Sequence, residues 1–245
     1  MNTTLLPART SGTLWGVGVG PGDPELLTLK AVRILRMVTV IAYPAPSGGG
    51  SLARRIAAAV LDDGVNRTEI VLRMRFEADR VSAQTAYDQG AAAIAIHLAS
   101  GRNVAVLCEG DPLFFGSFAY LMARLKARFP VAVVPGVNSV AACSAIVQRP
   151  FAFLDDRAVV IPASRPSDEI EAALATAEAA AIIKVGRHLT RIADVLGRLD
   201  LTERAWHVER AGQPGEHIRP LTAALVLSVE SYFSMILVHR RGERW

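Results

Sequence analysis

The chemistry-bearing residues of this 245-residue chain gather where short apolar runs end. The first group is Gly16-Val17-Gly18-Val19-Gly20-Pro21-Gly22-Asp23-Pro24-Glu25. It follows an apolar run and opens a helical pattern, with Asp23 suited to cap the helix and Pro24 to its first turn. Glycines at this spacing let the backbone turn tightly and approach a ligand or another loop. No Gly-Lys-Ser/Thr follows, so it is not a phosphate loop of the Walker type. The spacing lacks G-x-G-x-x-G, and no acidic residue ends a second strand ~20 positions on, which argues against a dinucleotide site.

The second group, Glu109-Gly110-Asp111-Pro112-Leu113-Phe114-Phe115-Gly116-Ser117, ends the run Val104–Cys108. Ligands of open α/β sheets bind at the carboxyl ends of strands. Here two acids beside two phenylalanines suit a cationic, partly apolar ligand, and a carboxylate accepts hydrogen bonds from hydroxyl or amino groups. Asp111 equally suits a turn cap and the phenylalanines a core. In Pro135-Gly136-Val137-Asn138-Ser139, Asn138 or Ser139 either caps the next helix or leaves amides free for a carboxylate. Ile182 to His188 and Glu209-Arg210-Ala211-Gly212 end later strands and by themselves specify nothing. His188 reads as a surface or capping histidine.

Strand-like runs at Thr13–Val19, Val38–Ala42, Val104–Cys108 and Val131–Val134 must position the first groups. Those at Ala158–Pro162, Ala180–Val185, Ala205–Glu209, Ala224–Val229 and Ser234–His239 position the rest. Helical patterns lie at Pro24–Arg36, Leu52–Leu61, Arg80–Ala99, Ser117–Arg128, Ser139–Val147, Asp168–Ala177 and Leu189–Arg198. The alternation predicts an α/β protein with a mainly parallel sheet first and a mixed sheet later. The boundary falls near Pro135 to Pro150, giving an amino-terminal domain over 12–136, with four strands, and a carboxy-terminal domain over 137–245. Ser47 to Gly50 is a flexible loop.

Bulk composition narrows the function classes. Hydrophobic residues make up 51% and charged ones 20%, enough apolar matter for a core and against disorder. The two cysteines, Cys108 and Cys143, form no C-x-x-C pair, so neither a metal site nor a disulfide framework is expected. No apolar run reaches the ~18 residues of a membrane span, and the opening residues do not read as a signal peptide; the expected place is the cytoplasm. The net charge of +4 suggests an anionic partner. With 6% aromatics and no basic stripe interleaved with stacking rings, nucleic acid is not expected.

Taken in order, these segments resemble a known family. Gly18-Val19-Gly20-Pro21-Gly22-Asp23 leading into Leu26-Leu27-Thr28-Leu29-Lys30-Ala31 is similar to the amino-terminal signature of the tetrapyrrole methylases, class III S-adenosylmethionine-dependent enzymes. Gly110-Asp111-Pro112 with Phe115-Gly116, then Pro135-Gly136-Val137, resembles their second signature; Lys184-Val185-Gly186 and Glu209-Arg210-Ala211 resemble later segments. The resemblance runs from Leu14 to Val238. Within the family, Glu109 to Leu121 is similar to the branch that methylates precorrin-2 at C20. Asn138 departs from the small Ser or Thr more common at its position.

The resemblance implies two α/β domains with a cleft between them, a homodimer, and S-adenosylmethionine as cofactor. Carried over by position, the cofactor contacts would be Pro21, Glu109, Gly110, Asp111, Phe114, Phe115, Asn138, Ser139, Val185 and Ala211. Gly18 and Gly20 would face a tetrapyrrole substrate, metal-free precorrin-2 or its cobalt-containing counterpart. The substrate's carboxylates would be met by cations, with Arg73 and Arg75 foremost among Arg54, Arg55, Arg73, Arg75 and Arg80, because arginine matches carboxylates bidentately. The product must lose a proton, which leaves room for a general base; the pattern assigns no residue to it, and Glu109 is a candidate only where the cofactor leaves it free. No resident metal is expected.

Overall fold

The structure, a computed structural model, describes residues 11–74, 80–227 and 231–242. The chain divides into two compact units, with the boundary in the sequence between Asn138 and Ser139.

The first unit is a five-stranded sheet in the order β3-β2-β4-β1-β5, built from β1 (Leu14–Gly18), β2 (Val40–Pro46), β3 (Thr68–Met74), β4 (Val104–Cys108) and β5 (Val131–Val134). Every pairing in it is parallel. All five residues of β4 are buried, as a strand covered on both faces requires. On one face Val104, Val106 and Cys108 pack against α4 (Arg80–Ala99) and α5 (Phe118–Leu125). On the other, Ala105 and Leu107 pack against α1 (Leu29–Met37), α2 (Leu52–Ile56) and α3 (Ala58–Leu61).

The second unit has the sheet order β6-β7-β10-β8-β9, from β6 (Ala158–Pro162), β7 (Ala179–Ile183), β8 (Ala205–Glu209), β9 (His217–Pro220) and β10 (Ser234–His239). β6 and β7 run parallel and the remaining pairs antiparallel, the mixed sheet expected from the closing strands. α6 (Ser139–Val147) covers one face through Val140 and Cys143. α7 (Ser167–Thr176), α8 (Leu189–Arg198) and α9 (Leu221–Leu227) cover the other.

Several sequence expectations need correction. The first unit has five strands rather than four, because Thr68–Met74 pairs with β2 at the sheet edge. Its exposed Thr68, Glu69 and Arg73 leave too short an apolar signal. His217–Pro220 was also missed, an edge strand with three exposed residues that ends on a proline. The helix expected over Pro24–Arg36 is a 3₁₀ turn, Pro24–Leu26, and then α1. Asp23 accepts from the Glu25 N–H at 2.8 Å and Thr28 from the Ala31 N–H at 3.1 Å, so two caps in succession start two helices. Leu52–Leu61 breaks at Ala57. The strand expected at Ala224–Val229 is helix α9 over its described residues: Leu221 and Ala224 are buried while Leu225 and Val226 are exposed, a 3.6-residue period hidden in a continuous apolar run.

No helix among the described residues is long and apolar enough to cross a membrane.

On β8, His207 is buried, and burial, aided by the charge of Arg219, pushes its imidazole down to about 4. The unfolded chain takes that proton near pH 6.5. Between pH ~6.5 and ~4 the unfolded state therefore binds more protons, and stability present at neutral pH is lost as pH falls through this window, by up to ~3 kcal/mol. His207→Gln should flatten this part of the profile. Urea unfolding of both proteins from pH 7 to 4.5 checks it; equal slopes would remove His207 as the cause.

Candidate active site

The edge formed by the carboxyl ends of β1, β4 and β5 carries the first three sequence groups. β1 leads through α1 to β2, and β4 leads through α5 to β5, in opposite directions and over opposite faces of the sheet. Adjacent strands that diverge in this way leave the crevice in which α/β sheets bind ligands.

Backbone contact locks the three exits together. The Gly110 N–H donates to the Gly20 carbonyl at 2.8 Å and the Gly20 N–H returns to the Gly110 carbonyl at 3.3 Å. A Cβ on Gly18 would lie 2.5 Å from the Gly136 nitrogen and 2.7 Å from the Gly110 oxygen. A Cβ on Gly136 would lie 2.1 Å from that same oxygen. No side chain fits at either position without backbone movement. Gly20 adds a left-handed φ of 81°, a region that favours glycine. Gly18 and Gly20 are thus buried against neighbouring backbone.

Asp111 is the polar clasp of this edge. One carboxylate oxygen accepts from the Leu113 and Phe114 N–H groups at 2.9 and 3.0 Å, and the other from the Gly136 N–H at 3.1 Å. It thereby shapes the turn after β4 and ties it to the exit of β5. The turn presents Leu113, Phe114 and Phe115 to solvent. The two phenyl rings meet edge to face at 5.2 Å, and Phe115 holds a left-handed φ of 54°, uncommon for a bulky residue. Glu109, the residue after β4, is largely buried. Burial raises its pKa, opposed by a hydrogen bond from the Ala53 N–H and by the charge of Arg55.

The arginines of the branch-specific stretch are engaged locally. Arg54 pairs with Asp62 at 2.9 Å and Glu69 at 3.1 Å. Arg73 donates to the Pro46 and Gly49 carbonyls, each at 3.3 Å, and so shapes the glycine loop. Arg75 and the side chain of Arg80 lie outside the described residues.

In the second unit, Lys184 and Arg210 leave the ends of β7 and β8 with left-handed φ of 58° and 50°. Val185 and Ala211 after them are buried, so they offer backbone rather than side chain. The start of β10 joins the two exits. The Ser234 carbonyl accepts from the Val185 N–H at 3.2 Å, its Oγ accepts from the Gly186 N–H at 2.9 Å and donates to the Ser231 carbonyl at 2.6 Å, and the Phe233 carbonyl accepts from the Arg210 N–H at 2.8 Å. Sequence reasoning missed Ser234 and Phe233; their signal was an aromatic pair and a serine just ahead of the last apolar run. His188 is half-buried, and burial together with Arg191 and Arg187 lowers its pKa. Pro21 is buried, and Asn138 and Ser139 are half-exposed at the β5 exit.

Comparison with known proteins gives one answer. The family of tetrapyrrole (corrin/porphyrin) methylases matches residues 13–226. The cobalamin biosynthesis protein CobIJ of Mycobacterium bovis is 40% identical over 233 residues, which are 93% of this chain and 46% of that protein; the chain thus spans about half of that relative. The precorrin-2 C(20)-methyltransferase of a Sinorhizobium species is 38% identical over 93% of this chain and 95% of its own length. The uroporphyrin-III C-methyltransferase of Thermus thermophilus, solved with S-adenosylhomocysteine, has a TM-score of 0.65 at 25% identity, covering 93% of this chain and 97% of that one. With its glycine-locked strand exits and a match along most of its length, the chain belongs to the tetrapyrrole methylases.

Proposed function

We propose that this protein transfers a methyl group from S-adenosylmethionine to C20 of precorrin-2, giving precorrin-3A in cobalamin biosynthesis. The observation that carries this reading is the near full-length match, on both sides, to the Sinorhizobium enzyme. The reading includes a homodimer in the cytoplasm.

The strand edges suit such a cofactor. Exposed Phe114 and Phe115 offer ring faces to a cationic sulfonium and a flat base. Backbone at Pro21, Gly110, Asn138, Ser139, Val185 and Ala211 completes the proposed contacts, together with Glu109. Asp111 belongs to the set as the residue that positions the turn, its carboxylate being occupied by three N–H groups. When bound, S-adenosylmethionine supplies a methyl group activated by a sulfonium leaving group.

The protein's own part is placement. Holding nucleophile and methyl in line contributes up to ~7–11 kcal/mol, and the locked glycine backbone gives a rigid wall for it. Gly18 and Gly20 are proposed to form the base of the substrate side. Arg73 acts there through the loop it holds, with Arg75 beside it in sequence. The electron-rich ring attacks through C20 and must then lose the C20 proton. Glu109, directly after β4, is the proposed acceptor where the cofactor leaves its carboxyl free, since burial raises its affinity for a proton.

Incubation with precorrin-2 and a ¹³C-methyl-labelled cofactor, followed by NMR, tests the reaction. The label should appear on C20, and running the metal-free and cobalt-containing rings side by side shows which is the substrate. Label at another carbon, or none, would refute the assignment.

Asp111→Ala should fold, lose about 1–2 kcal/mol of stability through three unmade hydrogen bonds partly replaced by water, and bind S-adenosylhomocysteine at least tenfold more weakly. Calorimetric titration showing wild-type affinity in the folded variant would take Asp111 out of the site.

A further inference from the structure

The cations of the second unit divide sharply by partner. Arg157, Arg165, Arg198, Arg219 and Arg241 each pair with a carboxylate. Arg191, Arg204 and Arg240 donate to backbone carbonyls, and Arg149 lies over the Trp206 ring at 4.7 Å. Among the described residues that leaves Lys184, Arg187 and Arg210, all exposed. All three sit at the same edge of the sheet, where β7 and β8 end and β10 begins.

Backbone geometry sets two of them apart again. Lys184 and Arg210 hold φ of 58° and 50°, a conformation that costs a residue with a Cβ of order 1 kcal/mol or more and that clusters at ligand sites. Each follows the last residue of a strand paired to β10, on opposite sides of it. The Val185 and Arg210 N–H groups, bonded to the Ser234 and Phe233 carbonyls, pin both exits. The two backbones are therefore held about 10 Å apart, two strand spacings. The carboxylates described nearby have cations or amides of their own: Glu209 is buried and pairs through one oxygen with Arg219 at 2.9 Å, and Glu216 accepts from the Gly212 N–H at 2.6 Å.

We propose that Lys184 and Arg210, with Arg187 beside them, form a carboxylate-binding pair at this edge. The assignment rests on the methylase reading, which supplies two sources of that chemistry: the acid side arms of the tetrapyrrole and the amino-acid carboxylate of the cofactor. It also gives the basic character of the chain a place that the engaged Arg54 and Arg73 do not.

The test compares two double variants that strain the backbone equally. Lys184→Gln/Arg210→Gln removes both charges, and Lys184→Arg/Arg210→Lys keeps them. Uroporphyrin III, a tetrapyrrole bearing only carboxylate arms, is titrated by fluorescence quenching, and S-adenosylhomocysteine by calorimetry, at low ionic strength and at 0.5 M salt.

The neutral variant should lose at least tenfold in affinity for one probe at low salt, with the gap narrowing at high salt as charges are screened. The charge-keeping variant should stay within threefold of wild type. Loss of uroporphyrin binding assigns the pair to the ring, and loss of S-adenosylhomocysteine binding assigns it to the cofactor. Wild-type affinity for both probes in the neutral variant overturns the pair alone. A wild-type protein that binds neither probe overturns the methylase reading and this assignment with it.

Discussion

Everything at the proposed site depends on how closely three backbones approach. The exits of β1, β4 and β5 touch through Gly18, Gly110 and Gly136, and the Gly136 position has no room for even a methyl group, with the Gly110 oxygen 2.1 Å from where it would stand. That contact makes the reciprocal Gly20–Gly110 hydrogen bonds possible. It also brings the Gly136 N–H within reach of Asp111, which in turn shapes the turn bearing Phe114 and Phe115. A site whose chemistry is placement needs such rigidity, and backbone packed on backbone supplies it without side-chain rotamers.

Charge follows a similar division. Much of the arginine content serves the fold. Arg67, for example, donates to carbonyls at the ends of α1 and α3, Leu35, Val38 and Leu61, and pairs with Asp63 at 2.6 Å. A positive net charge therefore overstates the cations available to a ligand. What remains in the second unit lies at one strand edge, where the bound carboxylates of the proposed reaction would need it.

The sequence made the central elements legible and the edges obscure. β4, β5, β6, β8 and β10 are dense apolar runs between turn signals, and each lies where the pattern placed it. The edge strands Thr68–Met74 and His217–Pro220 bury one side at most and carry charge, so periodicity could not find them. Residues of the glycine groups and of Gly-Asp-Pro were recognisable by type and order. Their jobs were not, since a carboxylate that binds a ligand and one that clasps three N–H groups read alike. Arg73 likewise reads as a free cation until the Pro46 and Gly49 carbonyls are seen around it. Ser234 shows in sequence only as a serine behind an aromatic pair, and its job is hidden because its partners, Val185 and Gly186, are far away in sequence.

The most direct test of this account is amide hydrogen exchange at Gly20 and Gly110 in Gly136→Ala, with Gly50→Ala as the control, because a Cβ at Gly50 meets nothing within 4 Å. If the glycine contact holds the exits together, the added methyl should speed exchange of both amides at least about a hundredfold, equivalent to ~2.7 kcal/mol of lost protection, while the control matches wild type. Unchanged protection in a folded Gly136→Ala protein would contradict it and leave the three exits as independent loops.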